Sequence, residues 1–390
     1  MSILKEKIKY YAGKSNCFVW NALSKVIKNN KKIIMFDSFL GKQYSCNPRA
    51  IYEYLLKNTN DYEFVWAFRD ISYKSDVLKN KRTYICKYRS IKHYYYMIQS
   101  SCIVYNWKLT YDMPVNKKQL LIQTWHGGGC YKKAGVEIKE NSSFHSQKMV
   151  EEINKANYYI SSSKFFSENV IRKQNKYRGK ILSIGMPRND IFFKNDIRLK
   201  EEIRKKLGLP MDAFVILYAP TYRESIMSPS FEHIDCNLIK AAVLKKYNKK
   251  PMIIYRGHHN TEELKDSSFD MNVSDYYDMQ NLLLISDMLI SDYSSSIWDY
   301  SFINNPCFLY TPDLTEYEDA RGFDEDIYTW GFPVCLTNNE LAERIESFDP
   351  KLFNLKMKEH HEKLESYETG NATEKVCDLI INYLNKERLK

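Results

Sequence analysis

The sequence predicts an α/β protein built from two Rossmann-like halves, each with a largely parallel sheet. Three observations indicate this fold class. Short apolar runs alternate along the chain with amphipathic stretches of helical length, which is typical of βαβ units. The alternation pauses at a charged helical stretch, 197–208, and then restarts. The length of 390 residues also suggests two domains rather than one.

The first half contains apolar runs of strand length that are separated by helical segments. The predicted strands are 31–38, 62–68, 82–88, 101–106, 119–125, 158–163 and 180–185. Helices are expected at 48–57, where proline occupies a permitted first-turn position, and at 90–99, which is amphipathic.

The second half repeats this pattern after a helix that ends with Gly208 and Pro210, a normal stop signal. Its predicted strands are 214–220, 251–257, 287–292 and 306–312. The last forty residues, from Pro350, are charged and helical in character and are expected to brace the two halves. The expected division is a basic segment 1–31, domains 32–196 and 197–349, and a helical segment 350–390.

The positive charge is concentrated in the N-terminal segment. The whole chain has a formal net charge of +10, and residues 1–32 carry eight lysines and one glutamate, or +7, which leaves +3 for the rest. Apolar residues, among them Phe18 and Trp20, lie between these lysines. This pattern predicts a basic amphipathic segment that contacts an anionic membrane surface. Two alternatives stay open: a solvated lysine-rich tail, or apolar residues that pack on the enzyme's own body.

Composition excludes several other classes. The nearly neutral body argues against a nucleic-acid partner, since such proteins spread basic residues over a folded face. The nine cysteines include no CxxC pair, so neither a zinc ribbon nor a thioredoxin motif is indicated. No apolar run has the length of a signal-peptide core or of a membrane span. The expected location is therefore the cytoplasmic face of the membrane, with peripheral attachment.

The strand 119–125 ends directly in His126, Gly127, Gly128 and Gly129. In open α/β sheets, ligands bind at the carboxyl ends of the strands. Glycines let the backbone and a substrate approach closely, and a histidine exchanges a proton near neutral pH. The motif therefore predicts a catalytic histidine with substrate-binding glycines. A tight turn with a structural histidine is the alternative.

Three strands of the second half also end in polar groups that suit phosphate. The residues concerned are Thr221 and Tyr222, Arg256 and His258, and the cluster Ser294, Ser295 and Ser296. Serine hydroxyls and backbone N–H groups at the start of a helix can bind an anion by donating hydrogen bonds to it. Arg321, further along the chain, offers a guanidinium for phosphate oxygens. The alternatives are a strand-ending turn, a surface histidine pair, an N-cap and a surface arginine. No HExxH or HxxxH spacing points to a metal site.

Taken together, these motifs resemble the CDP-glycerol glycerophosphotransferase family, which includes the teichoic acid primases and polymerases of bacterial envelopes. The resemblance covers roughly residues 32–345, in order and with natural spacing. It is carried by WHGGGxxKKxG, IGMPRND (184–190), APTYRE, RGHH, SDYSSSxxDY and YTPDLTEYEDARGF, together with 36–55 and 62–70. One departure is that Gly128-Gly129-Cys130 stands where many members have Thr-Pro-Leu, which leaves the acceptor and the polyol open.

The resemblance implies a GT-B fold, in which two Rossmann-like domains face each other across the active site. It implies transfer of glycerol phosphate from CDP-glycerol to a hydroxyl of an undecaprenyl-linked saccharide acceptor, with release of CMP. By motif matching, His126 takes the position of the family's base and His258 that of its second essential histidine. Ser294, Ser295 and Arg321 match donor-phosphate positions. No cofactor is implied, because the CDP-polyol is a co-substrate.

Three other functions remain in view. A CDP-ribitol or other polyol-phosphate transferase for wall or capsule polymers is the nearest alternative. A nucleotide-sugar glycosyltransferase on the same fold does not match the motifs. An inactive scaffold that binds membranes or polymers is opposed by the two intact histidine motifs.

Overall fold

The computed structural model describes residues 3–27, 29–71, 80–138, 143–221, 232–257 and 268–388. The apolar runs found in the sequence form two separate parallel sheets within these ranges. The sheets belong to two domains that face each other across a cleft, so the predicted GT-B fold is confirmed.

The first sheet has seven strands in the order β3-β2-β1-β4-β5-β6-β7, and neighbouring strands are all parallel. The central strand β4 is buried over its whole length, as expected for a parallel sheet covered on both faces. The strands are β1 Asn30–Asp37, β2 Glu63–Phe68, β3 Thr83–Lys87, β4 Ser100–Tyr105, β5 Leu120–Gln123, β6 Tyr158–Ser161 and β7 Lys180–Ser183.

The second sheet has six parallel strands in the order β10-β9-β8-β11-β12-β13. They are β8 Phe214–Tyr218, β9 Pro251–Tyr255, β10 Met271–Asn272, β11 Met288–Ser291, β12 Cys307–Tyr310 and β13 Val334–Cys335. The edge strands β10 and β13 were not predicted, because each has only two residues and is too short to show an apolar pattern.

Helices cover both sheets, and several begin at an aspartate whose carboxylate accepts backbone N–H bonds, as Asp196, Asp235 and Asp349 do. The longer helices are α1 Ile3–Leu23, α2 Cys46–Asn58, α3 Ile91–Gln99, α4 Ser143–Ile153, α6 Ile197–Leu207, α7 Cys236–Tyr247, α11 Asn338–Glu346, α12 Pro350–Lys363 and α13 Ala372–Arg388. The shorter ones are α5 Lys164–Phe166, which continues into a π-helix Ser167–Gln174, α8 Met279–Ile285, α9 Ser296–Tyr300 and α10 Leu314–Arg321. The described 3₁₀ segments include Gly135–Glu137, Pro187–Phe193 and Ile327–Thr329.

The last two helices connect the domains, as the sequence predicted. Helix α12 packs on the second sheet through Phe353 and Met357, whereas α13 returns to the first sheet and buries Val376 and Ile380 in its core. Between these helices lies Glu368. Its side-chain oxygens accept hydrogen bonds from the backbone N–H of Met186 and the side-chain amide of Asn189 in the first domain, and from the indole N–H of Trp298 in the second. The chain end therefore fastens one domain to the other.

Helix α1 divides its apolar residues between two environments. Tyr10 is buried and donates a hydrogen bond to Glu151 at 2.8 Å, while Trp20 stacks on Tyr94 at 5.6 Å. Phe18, by contrast, is 76% exposed, and Val26 just beyond the helix is 80% exposed. One face of the segment thus packs on the first domain and the other faces outward. Among the described residues, no helix combines the length and apolar character needed to cross a bilayer.

Candidate active site

A cleft of about 670 Å³ lies between the two domains, at the carboxyl ends of their strands. Because the strands of each sheet are all parallel, their carboxyl ends lie at the same edge of that sheet. Side chains that follow different strands therefore meet there. The predicted site residues that line this cleft are His126, Thr221, Arg256, Ser294, Ser295 and Ser296.

His126 is aimed by an unusual backbone turn. Trp125, just after β5, has φ +56, a left-handed conformation that bulky residues seldom adopt. Its backbone N–H donates to the side chain of Gln123 at 2.9 Å. The turn brings the ring of His126 against Trp107, with ring centroids 4.4 Å apart and an interplanar angle of 28°. The ring therefore has one fixed orientation in the cleft wall.

The hydrogen bond of His126 determines its tautomer. Nδ1 lies 3.0 Å from the backbone carbonyl of Asn106. A carbonyl only accepts, so Nδ1 carries the hydrogen and Nε2 keeps its lone pair. Burial lowers the pKa of His126 to about 4, because the charged imidazolium loses hydration. The side chain is thus neutral at pH 7 and equipped to accept a proton through Nε2.

Asn106 and Arg188 hold this histidine in place, and the sequence motifs gave neither of them a role. The Asn106 side chain accepts from the N–H of Phe39 at 2.7 Å, and the Phe39 ring meets His126 edge-on. The guanidinium of Arg188 donates to the His126 carbonyl at 2.6 Å and pairs with Asp299 of the second domain at 2.7 Å. Arg188 belongs to segment 184–190, which carries part of the family resemblance. No local sequence pattern indicated that Arg188 would pair with Asp299.

The wall formed by the second domain carries the guanidinium of Arg256. Arg256 follows β9, and within the described ranges its guanidinium has no ion-pair partner. Burial lowers the pKa of Arg256 to about 10, partly offset by the charge of Asp278. Thr221, on the neighbouring strand end, donates to the carboxylate of Asp292 at 2.5 Å. A half-buried cation facing a cleft favours an anionic ligand.

Two serines of the cluster differ in their contacts: Ser294 is hydrogen-bonded within the cluster, whereas Ser295 makes no cap bond to the helix. The Ser294 hydroxyl accepts from Ser296, from its N–H at 3.3 Å and from its hydroxyl at 2.9 Å. Ser295 precedes α9, which has five residues, and makes no side-chain cap bond. The Ser295 hydroxyl therefore faces the cleft without a structural task in the helix.

Three predicted residues lie elsewhere. Gly127, Gly128 and Arg321 line a second cavity of about 350 Å³ rather than the cleft. A Cβ on Gly128 would lie 2.0 Å from the ring of Trp298 in the second domain, so glycine is required here for close packing of the domains. Tyr222 and His258 lie outside the described residues. Among the described residues, no three His, Cys, Asp or Glu side chains lie together as a metal site.

The family comparison covers nearly the whole chain. Residues 20–382 match the sequence profile described as CDP-Glycerol:Poly(glycerophosphate) glycerophosphotransferase. A "Teichoic acid poly(glycerol phosphate) polymerase" of Bacillus spizizenii is 30% identical over 91% of this chain and 93% of its own length. A "Teichoic acid glycerol-phosphate transferase" of Staphylococcus aureus is 30% identical over 97% of this chain and 100% of its own length.

Solved structures agree with the fold and the family. A variant of the wall teichoic acid polymerase TagF, soaked with CDPG, superposes with a TM-score of 0.84 at 26% identity and covers 99% of this chain and 98% of its own. The unsubstituted polymerase gives a TM-score of 0.82 at the same identity. The chain therefore belongs to the CDP-glycerol:poly(glycerophosphate) glycerophosphotransferase family of enzymes.

Proposed function

We propose that this enzyme transfers glycerol phosphate from CDP-glycerol to a hydroxyl of a membrane-bound, lipid-linked acceptor and releases CMP. The product is a teichoic acid or a related envelope or capsule polymer. The observation that carries the proposal is the inter-domain cleft, where a neutral histidine on one wall faces a desolvated arginine and serine hydroxyls on the other.

The second domain supplies the donor site in this proposal. The diphosphate of CDP-glycerol is bound by Arg256, Ser295 and the strand end at Thr221, all of which line the cleft. Charge-assisted hydrogen bonds from a guanidinium to phosphate are among the stronger ones in proteins. Tyr222, His258 and Arg321 are assigned to the donor by their motifs. Residues 197–349 are thus the donor domain, and 32–196 the acceptor domain.

The first domain supplies the base. The acceptor hydroxyl oxygen forms a bond to the phosphorus that carries glycerol, while the bond from this phosphorus to the bridging oxygen breaks. The hydroxyl proton passes to Nε2 of His126, and CMP leaves with the bonding electron pair. Positioned proton transfer contributes about 10²–10⁴-fold. Alignment of the two substrates and stabilisation of the phosphate charge lower the rest of the barrier.

The segment 1–31 is proposed to hold the enzyme at the cytoplasmic face of the membrane. Its outward face combines exposed Phe18, Val19 and Leu23 with several lysines. Apolar burial at the interface and attraction to anionic headgroups act together in such segments. An enzyme so attached reaches an undecaprenyl-linked acceptor without crossing the bilayer.

CDP-ribitol is the second candidate donor. A "Teichoic acid ribitol-phosphate primase" of Bacillus spizizenii is 28% identical over 70% of this chain and 72% of its own length, so the family accommodates both polyols. An inactive scaffold is less well supported, since the orientation and neutrality of His126 suit a working base.

The decisive experiment offers CDP-glycerol and CDP-ribitol in turn, with a lipid-linked disaccharide as acceptor. CMP release and product mass are measured together. Release of CMP with a mass gain of one or more glycerol phosphate units supports the proposal. A product that contains ribitol phosphate selects the alternative, and binding of a donor without any transfer points to a scaffold.

A further inference from the structure

The loop after β1 has an unusual backbone. Phe39, Leu40 and Gly41 have φ values of +50, +56 and +74, so three successive residues lie in the left-handed region. Such conformations normally occur at single residues, and bulky side chains seldom adopt them. The backbone N–H of Lys42 donates to the carbonyl of Ser38 at 3.2 Å and closes this left-handed turn. Strain of this kind persists only where surrounding contacts impose it, and it is concentrated at functional sites.

Two side chains impose the left-handed turn. Asp37, the last residue of β1, accepts a hydrogen bond from the backbone N–H of Gly41 at 2.8 Å. Arg69, which follows β2, donates from Nε to the carbonyl of Leu40 at 2.9 Å. The backbone N–H of Arg69 also donates to the carbonyl of Gly41 at 2.7 Å. The ends of two neighbouring strands therefore determine the shape of the turn.

The left-handed turn places the Phe39 ring against the proposed base. Phe39 lines the cleft, and its ring meets the imidazole of His126 edge-on, with centroids 5.5 Å apart and an interplanar angle of 63°. Asn106 joins the two residues, because its side-chain oxygen accepts from the Phe39 N–H at 2.7 Å and its backbone carbonyl accepts from His126 at 3.0 Å. Backbone angles set the direction of a side chain, so a right-handed Phe39 would turn its ring out of this contact.

Phe39 is one of three aromatic rings around His126. The indoles of Trp107 and Trp125 lie with ring centroids 4.4 and 4.7 Å from the imidazole, at interplanar angles of 28° and 32°. The three rings follow β1, β4 and β5, which are neighbours in the first sheet. Aromatic walls provide little hydration, which disfavours a charged imidazolium and favours a neutral base.

We infer that Asp37 is a positioning residue of the transfer reaction: through the left-handed turn it fixes Phe39 beside His126 and so keeps water away from the base. The inference rests on the proposed function, and Asp37 itself is buried behind the cleft wall. Its bond to Gly41 requires an acceptor oxygen rather than a charge. Burial raises the pKa of Asp37 to about 7, and a protonated carboxyl still has such an oxygen, so the turn persists below this pH.

The acid limb of kcat/KM tests the inference, because it reports protonation of the base in the free enzyme. Its midpoint in the unmodified enzyme is expected near pH 4. Phe39→Ala should raise this midpoint by at least about one pH unit, toward the value of an exposed imidazole, and leave the CDP-glycerol Kd within about threefold. The positive charges of Arg188 and Lys132 also act on His126, but they are the same in both enzymes. An unchanged midpoint in a folded Phe39→Ala enzyme would overturn the inference.

Two substitutions of Asp37 separate positioning from simple stabilisation. Asp37→Leu removes the acceptor for the Gly41 N–H, so it should raise the midpoint in the same direction and lower kcat at least about tenfold. Asp37→Asn keeps an acceptor oxygen and should bring both quantities back close to those of the unmodified enzyme. A merely structural role of Asp37 would lower the melting temperature without moving the midpoint, and that result would contradict the inference.

Met35→Ala is the matched control, because Met35 is a fully buried residue of the same strand. It should lower the melting temperature and leave the midpoint near pH 4. An equal shift of the midpoint in Met35→Ala would show that general loosening of the domain, rather than the left-handed turn, controls the base. Near-normal turnover of a His126→Gln enzyme would instead contradict the proposed function, so the two failures are distinguishable.

Discussion

The guanidinium of Arg188 lies 2.7 Å from the carboxylate of Asp299, and this ion pair joins the two domains directly behind the proposed base. Both side chains are buried, and another guanidinium nitrogen of Arg188 donates to the backbone carbonyl of His126. The amide of Gln280 also donates to Asp299. Arg188 thus links the approach of the second domain to the orientation of His126.

Arg188→Met should lower the free energy of unfolding by about 3–5 kcal/mol, because Asp299 would stay buried without its partner. Turnover should fall as well, since His126 loses a constraint. The double variant Arg188→Met with Asp299→Leu should recover much of the stability but not the turnover, because apolar replacement of a buried pair is often tolerated. Urea unfolding and CMP release measure the two effects.

Arg49→Met is the control for this variant. Arg49 also reaches from the first domain to an aspartate of the second, Asp278, but it does not contact His126. It should cost some stability while turnover remains near normal. If both arginine variants reduce turnover equally, Arg188 acts through domain closure alone.

His126→Gln should reduce turnover about 10²–10⁴-fold, the usual contribution of a positioned base. The CDP-glycerol Kd should change little, because the donor contacts are assigned to the second domain. Calorimetry and CMP release separate the two quantities. The control is His93→Gln, because His93 is a fully buried histidine whose pKa burial also lowers to about 4 but which lies outside the cleft. Near-normal turnover of the His126→Gln enzyme would remove this histidine from the mechanism.

The pH dependence of kcat/KM should report the buried environment of His126. Because burial lowers its pKa to about 4, the base stays neutral as the pH falls from 7 to 5. The rate should therefore be nearly flat in this range and decline toward pH 4. An exposed imidazole would lose half its activity near pH 6.5. A midpoint close to 6.5 would contradict the neutral, desolvated base.

Folding must be monitored in the same pH series. The unfolded chain protonates this histidine near pH 6.5, whereas the native state resists protonation until about pH 4. This difference leaves stability unaffected above about pH 6.5, where both states are neutral, and it destabilises the native state progressively as the pH falls toward about 4. Circular dichroism at each pH distinguishes loss of the fold from protonation of the base.

Ser295→Ala should weaken CDP-glycerol binding about 10–100-fold, as expected for loss of a hydrogen bond to a charged group. Its hydroxyl does not cap α9, so the melting temperature should hardly change. Ser294→Ala should instead lower the melting temperature and change CDP-glycerol affinity less, because the Ser294 hydroxyl accepts hydrogen bonds from Ser296. Calorimetry and thermal unfolding are the two measurements. Normal donor affinity in the Ser295→Ala enzyme would exclude this serine from the phosphate site.

Replacing Phe18 and Val26 by serine should reduce sedimentation with anionic vesicles tenfold or more, since each buried apolar side chain contributes about 1.5–3 kcal/mol. Both side chains are exposed, so the fold should persist. Tyr10→Phe on the opposite face is the control, because it removes the hydroxyl that bonds to Glu151 but keeps the buried ring. Unchanged sedimentation of the double variant would show that this face is not the membrane contact. Removal of residues 1–28 is a less selective test, because it also deletes the packing of Tyr10 and Trp20.

The sequence by itself determined the α/β class, the longer strands and the strand ends that line the cleft. Buried parallel strands are continuous apolar runs, and a histidine or serine that follows such a run must lie at the ligand edge of the sheet. His126, Arg256 and Ser295 were found in this way, and all three line the cleft. These features are local, so a single sequence displays them.

The tertiary structure decided what depends on contacts between distant segments. The sequence predicts Gly128 as a substrate-binding residue, and only the tertiary structure shows that a Cβ at this position would meet the ring of Trp298. Arg321 lines the second cavity, and Arg188 pairs across the interface with Asp299. Helix α1 divides its apolar residues between the protein and the solvent. No local pattern encodes these outcomes, because each depends on how two surfaces far apart in the chain fit together.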